Sequence, residues 1–238
     1  MIRWPRRVAW WGLRASLRLH HWSYNQANAF ALRYYGVHPK HRLTGIHQFF
    51  LERIEPGDAV LDIGCGQGVI AASLATKAGT VVAFDQSPAA IRDAIRLRSQ
   101  PHVTYYVGEA TRDLPKDRRF DVAVSSGVLE HLENRAEHLQ AVAGLARRLL
   151  MRLPNLRRSW TVLLCQELGL PFACDPDHKC EYTVESARQE LEENGWRVEL
   201  IDTSEGEIRL AARSLRFDAP AAADSARGFA SSELPEAA

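Results

Sequence analysis

The chain has 238 residues, enough for one sizeable α/β domain with appendages and too few for two full domains. Its 46% hydrophobic content is ordinary for a globular protein and supplies a buried core. Net charge is only +1, but the first 51 residues hold eight Lys or Arg and no Asp or Glu, while the rest carries 22 basic and 29 acidic residues, a net of −7. A basic front on an acidic body points to something anionic against the front: membrane lipid, nucleic acid, an acidic substrate, or the body itself.

In chain order, residues 1–52 read as a basic, aromatic, mostly helical segment. On a helix, Trp4, Val8, Trp11, Ala15 and Leu19 share one face, with Trp10, Leu13 and Leu17 beyond it, and Arg3, Arg7, Arg14 and Arg18 share another. That segregation suits peripheral contact of residues 3–19 with a membrane, and equally a lid packed over the domain or an oligomer contact. Residues 53–215 alternate β-rich and helical runs, the α/β signature. Strands are expected over 59–64, 80–85, 102–107 and 120–125, and helices over 69–77, from Ser87-Pro88 to 97, and over 135–147. Thr183 caps a further helix that Asn194-Gly195 stops, and closing strands follow at 196–201 and 207–212. Residues 216–238, rich in Ala, Ser, Pro and Glu, read as a disordered tail.

Cys65, Cys165, Cys174 and Cys180 form no recognisable disulfide framework, so a reducing, cytoplasmic setting is expected. The N-terminal apolar run breaks at Arg14 and Arg18, unlike a signal peptide, and no stretch has the length of a bilayer span.

The chemistry centres on VLDIGCGQG, Val60 to Gly68. A strand ends and Gly64, Gly66 and Gly68 follow at alternate positions before a helix begins, so a ligand can lie against bare backbone. A dinucleotide site would space its glycines G-x-G-x-x-G. Asp62, ahead of the turn, suits a ligand with a cationic amine better than a pyrophosphate. Asp85 ends the second strand 23 residues later, where a carboxylate can accept both hydroxyls of a ribose.

VLDIGCGQG, VVAFDQS at Val81–Ser87, GEA at Gly108–Ala110 and FDVAVSSGVLEHL at Phe120–Leu132 resemble, in order, the motifs of class I S-adenosylmethionine-dependent methyltransferases. The resemblance covers roughly residues 40–212. It implies a Rossmann-like, doubly wound, seven-stranded α/β sheet with an antiparallel last strand, here with a helical N-terminal extension that caps the cofactor cleft. It further implies that Asp62, Gly64, Cys65, Gly66 and Gly68 hold the methionine part of S-adenosylmethionine and that Asp85 holds the ribose. Gln86, Glu109 and Ala110 then flank the adenine, and Ser125 and Ser126 lie near the reacting methyl. The segment 38–50 is similar to one in bacterial methyltransferases associated with surface polysaccharides; there Lys40 and Arg42 would hold the cofactor carboxylate or an anionic substrate, or form a solvated turn.

Glu130-His131 follows the fourth strand, at the rim where an acceptor would meet the cofactor. His131 is the candidate catalytic base for a hydroxyl, although Glu-His pairs in such proteins also serve structurally. In that branch a His followed by Tyr-Thr is common before the last helix, so His178 and Tyr182 are candidates to line the acceptor pocket. Cys174, His178 and Cys180 match no common zinc spacing, and no metal is expected. The expected acceptor is a small molecule, lipid or glycan and not nucleic acid. One departure stands out: no turn residues separate the helix at 135–147 from the fifth strand. Either the helix ends early near Gly144 or the strand is shortened. The alternative to an active enzyme is a non-catalytic cofactor-binding protein that kept the fold after losing this turn.

Overall fold

The computed structural model describes residues 4–170 and 177–217. A 30-residue helix α1 (Arg6–Tyr35) leads into short helices α2 (Lys40–Leu43) and α3 (Ile46–Leu51). The domain then runs β1 (Ala59–Ile63), α4 (Val69–Leu74), β2 (Thr80–Asp85), α5 (Pro88–Arg98), β3 (Val103–Val107), β4 (Phe120–Ser126), α6 (Arg135–Leu145) and β5 (Ala146–Pro154). It closes with α7 (Trp160–Glu167), α8 (Val184–Glu193), β6 (Trp196–Asp202) and β7 (Glu207–Ser214).

The seven strands form one sheet in the order β3-β2-β1-β4-β5-β7-β6. Strands β1 to β5 pair in parallel, and β7 runs antiparallel between β5 and β6. The central parallel strands β1, β2 and β4 are buried on both faces, as their near-continuous apolar runs require, while the edge strand β3 is only partly covered. One core layer includes Leu61, Phe84, Leu139, Tyr182 and Trp196; the other includes Phe50, Val60, Leu74 and Val81. Capping follows the sequence: Ser87 Oγ accepts from Ala90 N–H with Pro88 behind it, and Thr183 forms a reciprocal capping box with Ser186.

Helix α6 ends two residues before the expected boundary and passes directly into β5 without a turn. Ala146 is already extended (φ −124°, ψ 139°) while its N–H still closes on Val142 O. Strand β5 keeps nine residues and pairs along both edges. Of the two alternatives, the early helix end is therefore realised, and the fifth strand is intact. Helix α4 stops three residues short of the expected end. At the far end of the domain the Phe217 ring sits 5.5 Å from the Arg119 guanidinium and 4.9 Å from that of Arg147, so the packed body reaches beyond the expected start of the tail. The remainder of that tail, from 218, lies outside the described residues, as do Arg3 and Cys174.

Helix α1 does not cap the cleft. It rests on α7 through Leu17, which packs with Cys165 and Leu170, while Arg14 donates to Leu168 O at 2.8 Å. The opposite face stays open to solvent, with Trp4, Trp11, Leu19 and Trp22 each more than 60% exposed. Among the described residues no helix is long and apolar enough to cross a membrane.

Trp196 locks the antiparallel end of the sheet onto α6. It is fully buried, and its Nε1–H donates to Leu139 O at 3.0 Å. Trp196→Ala removes a large core side chain together with its hydrogen bond to α6. It should cost about 3–5 kcal/mol of stability, read as a lowered urea midpoint at unchanged slope.

Candidate active site at the C-terminal edge of the sheet

The strand order reverses direction between β1 and β4, because β2 and β3 lie on one side of β1 and β4 to β6 on the other. In an open α/β sheet this switch point leaves a crevice at the carboxyl ends of the strands. Here it opens as a cleft of about 790 Å³ lined by Gly64, Asp85, Gln86, Glu109, Ala110 and His131, all anticipated from the sequence.

The glycine loop is held by the neighbouring strand. Cys65 N–H donates to Phe84 O at 2.9 Å, and Asp85 accepts from Gly66 N–H (2.9 Å) and Ser87 N–H (2.8 Å). Gly66 has φ +53°, and a Cβ there would stand in open space, so the loop keeps a bare backbone face for a ligand. Gly64 has φ +68°, and a Cβ there would lie 2.4 Å from Val128 Cγ2. On the far wall His138 Nδ1 meets Ala110 O at 2.9 Å, tying α6 to the Gly108–Ala110 turn.

Beneath the loop lies Asp62, only 2% exposed, with Oδ2 buried and unpartnered. Burial, reinforced by the Asp85 charge, pushes its carboxyl up to about 8. Ser125, which pairs in register with Ile63, also buries an unpartnered hydroxyl. Two orphaned polar atoms at the strand ends, one anionic when ionised, suit a ligand that brings an ammonium group and a hydrogen-bonding chain. The donor set thus fits S-adenosylmethionine: Asp62 would take its amino group, Gly66 would offer bare backbone, and Asp85 would take a ribose.

His131 stands on a single 3₁₀ turn (Leu129–His131) after β4. Its ring meets that of His178 edge to face at 4.7 Å, and His178 Nδ1 lies 2.5 Å from Glu181 Oε1. Glu130 points inward, 1% exposed, and burial raises its pKa. Tyr182 does not line an acceptor pocket: it is fully buried in the core, and its hydroxyl donates to Glu190 at 2.5 Å. An isolated parallel bridge to Asn155 holds the Tyr182 backbone beside the end of β5. Lys40 is drawn to this side as well; burial, then the nearby Arg152, lowers its pKa. Arg42 instead lies over the Tyr35 ring at 5.7 Å, away from the cleft. Sequence reasoning missed Gly127, Asn134, Asp177 and Lys179, which line the cleft from β4, the start of α6 and the loop before α8. Only the Gly after the double Ser carried a local signal.

An ammonium against Asp62 ionises it, so ligand binding should release a proton below about pH 8. The sign follows from the free carboxyl being raised: affinity for S-adenosylmethionine should strengthen as pH rises from 6 to 8, by up to about tenfold per unit. Calorimetry in two buffers of different ionisation heat reads the proton release directly. Asp62→Asn should abolish it; release that persists in this variant would place the titrating group elsewhere.

A model of the methyltransferase domain matches residues 35–201. The ubiquinone biosynthesis O-methyltransferase of Rickettsia bellii is 31% identical over 81 residues, 34% of this chain and 34% of that one. An uncharacterized methyltransferase of Mycobacterium bovis is 36% identical over 87 residues, 36% of this chain and 44% of that one. The chain thus spans about a third to under a half of the lengths of these curated relatives. Among solved structures, magnesium protoporphyrin IX methyltransferase from Synechocystis with bound S-adenosylhomocysteine superposes with a TM-score of 0.55 at 18% identity, over 85% of this chain and 87% of that one. With the family model covering most of the chain, and with the sheet order and glycine loop described above, the protein belongs to the class I S-adenosylmethionine-dependent methyltransferases.

Proposed function

We propose that the protein methylates a hydroxyl of a small molecule, lipid or glycan, in the cytoplasm and at the face of an anionic membrane. S-adenosylmethionine supplies a methyl on a sulfonium; the acceptor oxygen takes the methyl, the sulfur keeps the electron pair of the broken bond, and the hydroxyl proton must leave. Asp62, Gly64, Gly66 and Asp85 bind and orient the donor, with Gln86, Glu109 and Ala110 at its adenine end. Cys65 and Gly68 shape the loop, and Ser125 and Ser126 border the methyl end.

The observation that carries the hydroxyl reading is the position of His131. It lines the cleft beside Gly127 and Val128 at the end of β4, with Glu130 and His178 around it. A hydroxyl is a poor nucleophile until its proton is removed, and His131 is the group placed to activate it. The similarity to an O-methyltransferase of quinone biosynthesis supports the same acceptor chemistry. His131→Ala should lower turnover about 10²–10⁴-fold while cofactor affinity holds. The readout is S-adenosylhomocysteine release over a panel of catechols, isoprenylated phenols and sugars. A loss smaller than about tenfold would leave His131 a structural role.

The membrane reading rests on α1. Its outward stripe of Trp4, Trp11, Leu19 and Trp22 is flanked by Arg7 and Arg18, with no acidic residue before Glu52. Aromatic insertion combined with roughly 1 kcal/mol per basic residue near the surface would give salt-sensitive binding to anionic lipid. The protein should pellet with phosphatidylglycerol vesicles at low salt. Changing Trp4, Trp11 and Trp22 to Ser, which leaves the Leu17 anchor in place, should keep it in the supernatant. Failure of the unaltered protein to pellet at any salt concentration overturns this reading.

A further inference from the structure

The outer rim of the cleft holds a group of side chains that cofactor binding does not use. Glu130 and His131 come from the turn after β4, and His178 from the loop before α8. Lys179 N–H and Cys180 N–H both donate to Glu130 O, at 2.7 and 3.3 Å, so the loop is fastened to the turn. Ligand-capable atoms of Glu130, His131 and His178 all lie within 4.8 Å of one another.

The hydrogen bonding around them defines which atoms are free. An ionised carboxylate only accepts, so the 2.5 Å contact to Glu181 Oε1 places a proton of His178 on Nδ1, and in the neutral ring Nε2 is then the lone pair open to a ligand. A carboxylate behind an imidazole is also the usual outer partner of a metal-binding histidine. Glu130 Oε2 is buried with no hydrogen-bond partner, a costly state for a carboxylate that a cation would relieve.

We infer that Glu130, His131 and Nε2 of His178 bind one divalent first-row transition cation, with Glu181 orienting His178. Two imidazole nitrogens and one carboxylate favour zinc, cobalt, manganese or ferrous iron over magnesium or calcium. Bonds of about 2.1 Å set ligand atoms roughly 3–3.5 Å apart, so the side chains must draw inward from their present spacing. The inference rests on the hydroxyl reading and says how His131 serves it. A cation at the rim lowers the pKa of the acceptor hydroxyl, whose proton passes to water, and His131 acts as a ligand instead of a free base. No local spacing displays this set, because His178 lies 47 residues beyond His131 in the chain. It also differs from the Cys174, His178 and Cys180 grouping considered from the sequence.

Cobalt(II) titrated into chelator-stripped full-length protein tests the site without any acceptor. One equivalent per chain should bind, with a visible absorption band, and zinc should displace it. His178→Ala and Glu130→Gln should weaken binding at least tenfold, and Glu181→Gln about 10–100-fold. His178→Ala changes a loop residue and leaves the buried Glu130 in place, so it decides the matter if Glu130→Gln fails to fold. The absence of saturable binding, or binding unchanged in His178→Ala, overturns the inference. Stripping should also depress turnover in the hydroxyl panel, and zinc or cobalt should restore it. If stripped protein keeps full turnover while His131→Ala loses it, the cation inference fails and His131 remains a free base. Turnover of His131→Ala at the unaltered rate would instead overturn the role of His131, and with it the catalytic part of this inference.

Discussion

A carboxylate buried at the end of β1 sets the terms for the rest of the site. Asp62 is nearly inaccessible, lacks a partner for one oxygen and faces a second carboxylate, Asp85. A backbone contact from Ala71 only partly offsets the burial, so the carboxyl stays protonated near neutral pH until a cationic ligand draws it into its ionised form. The sheet dictates where that ligand enters: the switch point lies at the ends of β1 and β4, where Asp62 and Ser125 bury unpartnered polar atoms. In the glycine loop above, Gly66 leaves open space where a side chain would close the opening. Strand order, loop composition and buried charge thus converge on one small volume.

Moving from β1 across β4 toward β7, the character of the site changes sign. Asp62 and Asp85 lie on the donor side. Lys40, Arg152 and Arg209 gather on the other, where Arg152 pairs with Glu207 and Arg209 donates to Thr44 O. Glu130, His131 and His178 occupy the boundary. On the hydroxyl reading proposed above, a sulfonium donor and an acceptor that sheds a proton need different electrostatic surroundings, and a sheet edge that alternates charge over a few strands can provide both. The short segment after α1 contributes Lys40 to this second half, which gives the N-terminal region a part in the site although α1 itself stays outside the cleft.

Helix α1 has two faces with separate duties. The Leu17 side fixes it to α7 through a small satellite cluster, and the opposite side leaves large aromatic surface in water. Such a stripe is unfavourable for a free monomer unless something covers it. An anionic membrane is the cover proposed above.

The sequence by itself determined the parallel half of the sheet, because each of its signals is local. Apolar runs bounded by turn residues mark β1, β2 and β4. Ser87-Pro88 and Thr183 mark helix starts through their own backbone hydrogen bonds, and Asp62, Gly64, Gly66 and Asp85 stand at fixed offsets from strand ends. Tertiary structure alone decided what depends on residues far apart in the chain. The helix-to-strand passage at Leu145–Ala146 could not be read from residue types, since no turn residue is used; pairing of β5 with both β4 and β7 imposes it. Tyr182 looked like a pocket residue because of its neighbours in sequence, but packing turned it into the core. The outward Trp face of α1 follows from Leu17 and Arg14 finding partners around Leu168, which no helical pattern encodes. The meeting of His131 with His178 likewise required two backbone donors, at Lys179 and Cys180, to fasten a distant loop to the Glu130 carbonyl. Local rules place residues on elements, and burial and long-range hydrogen bonds choose which of them share a site.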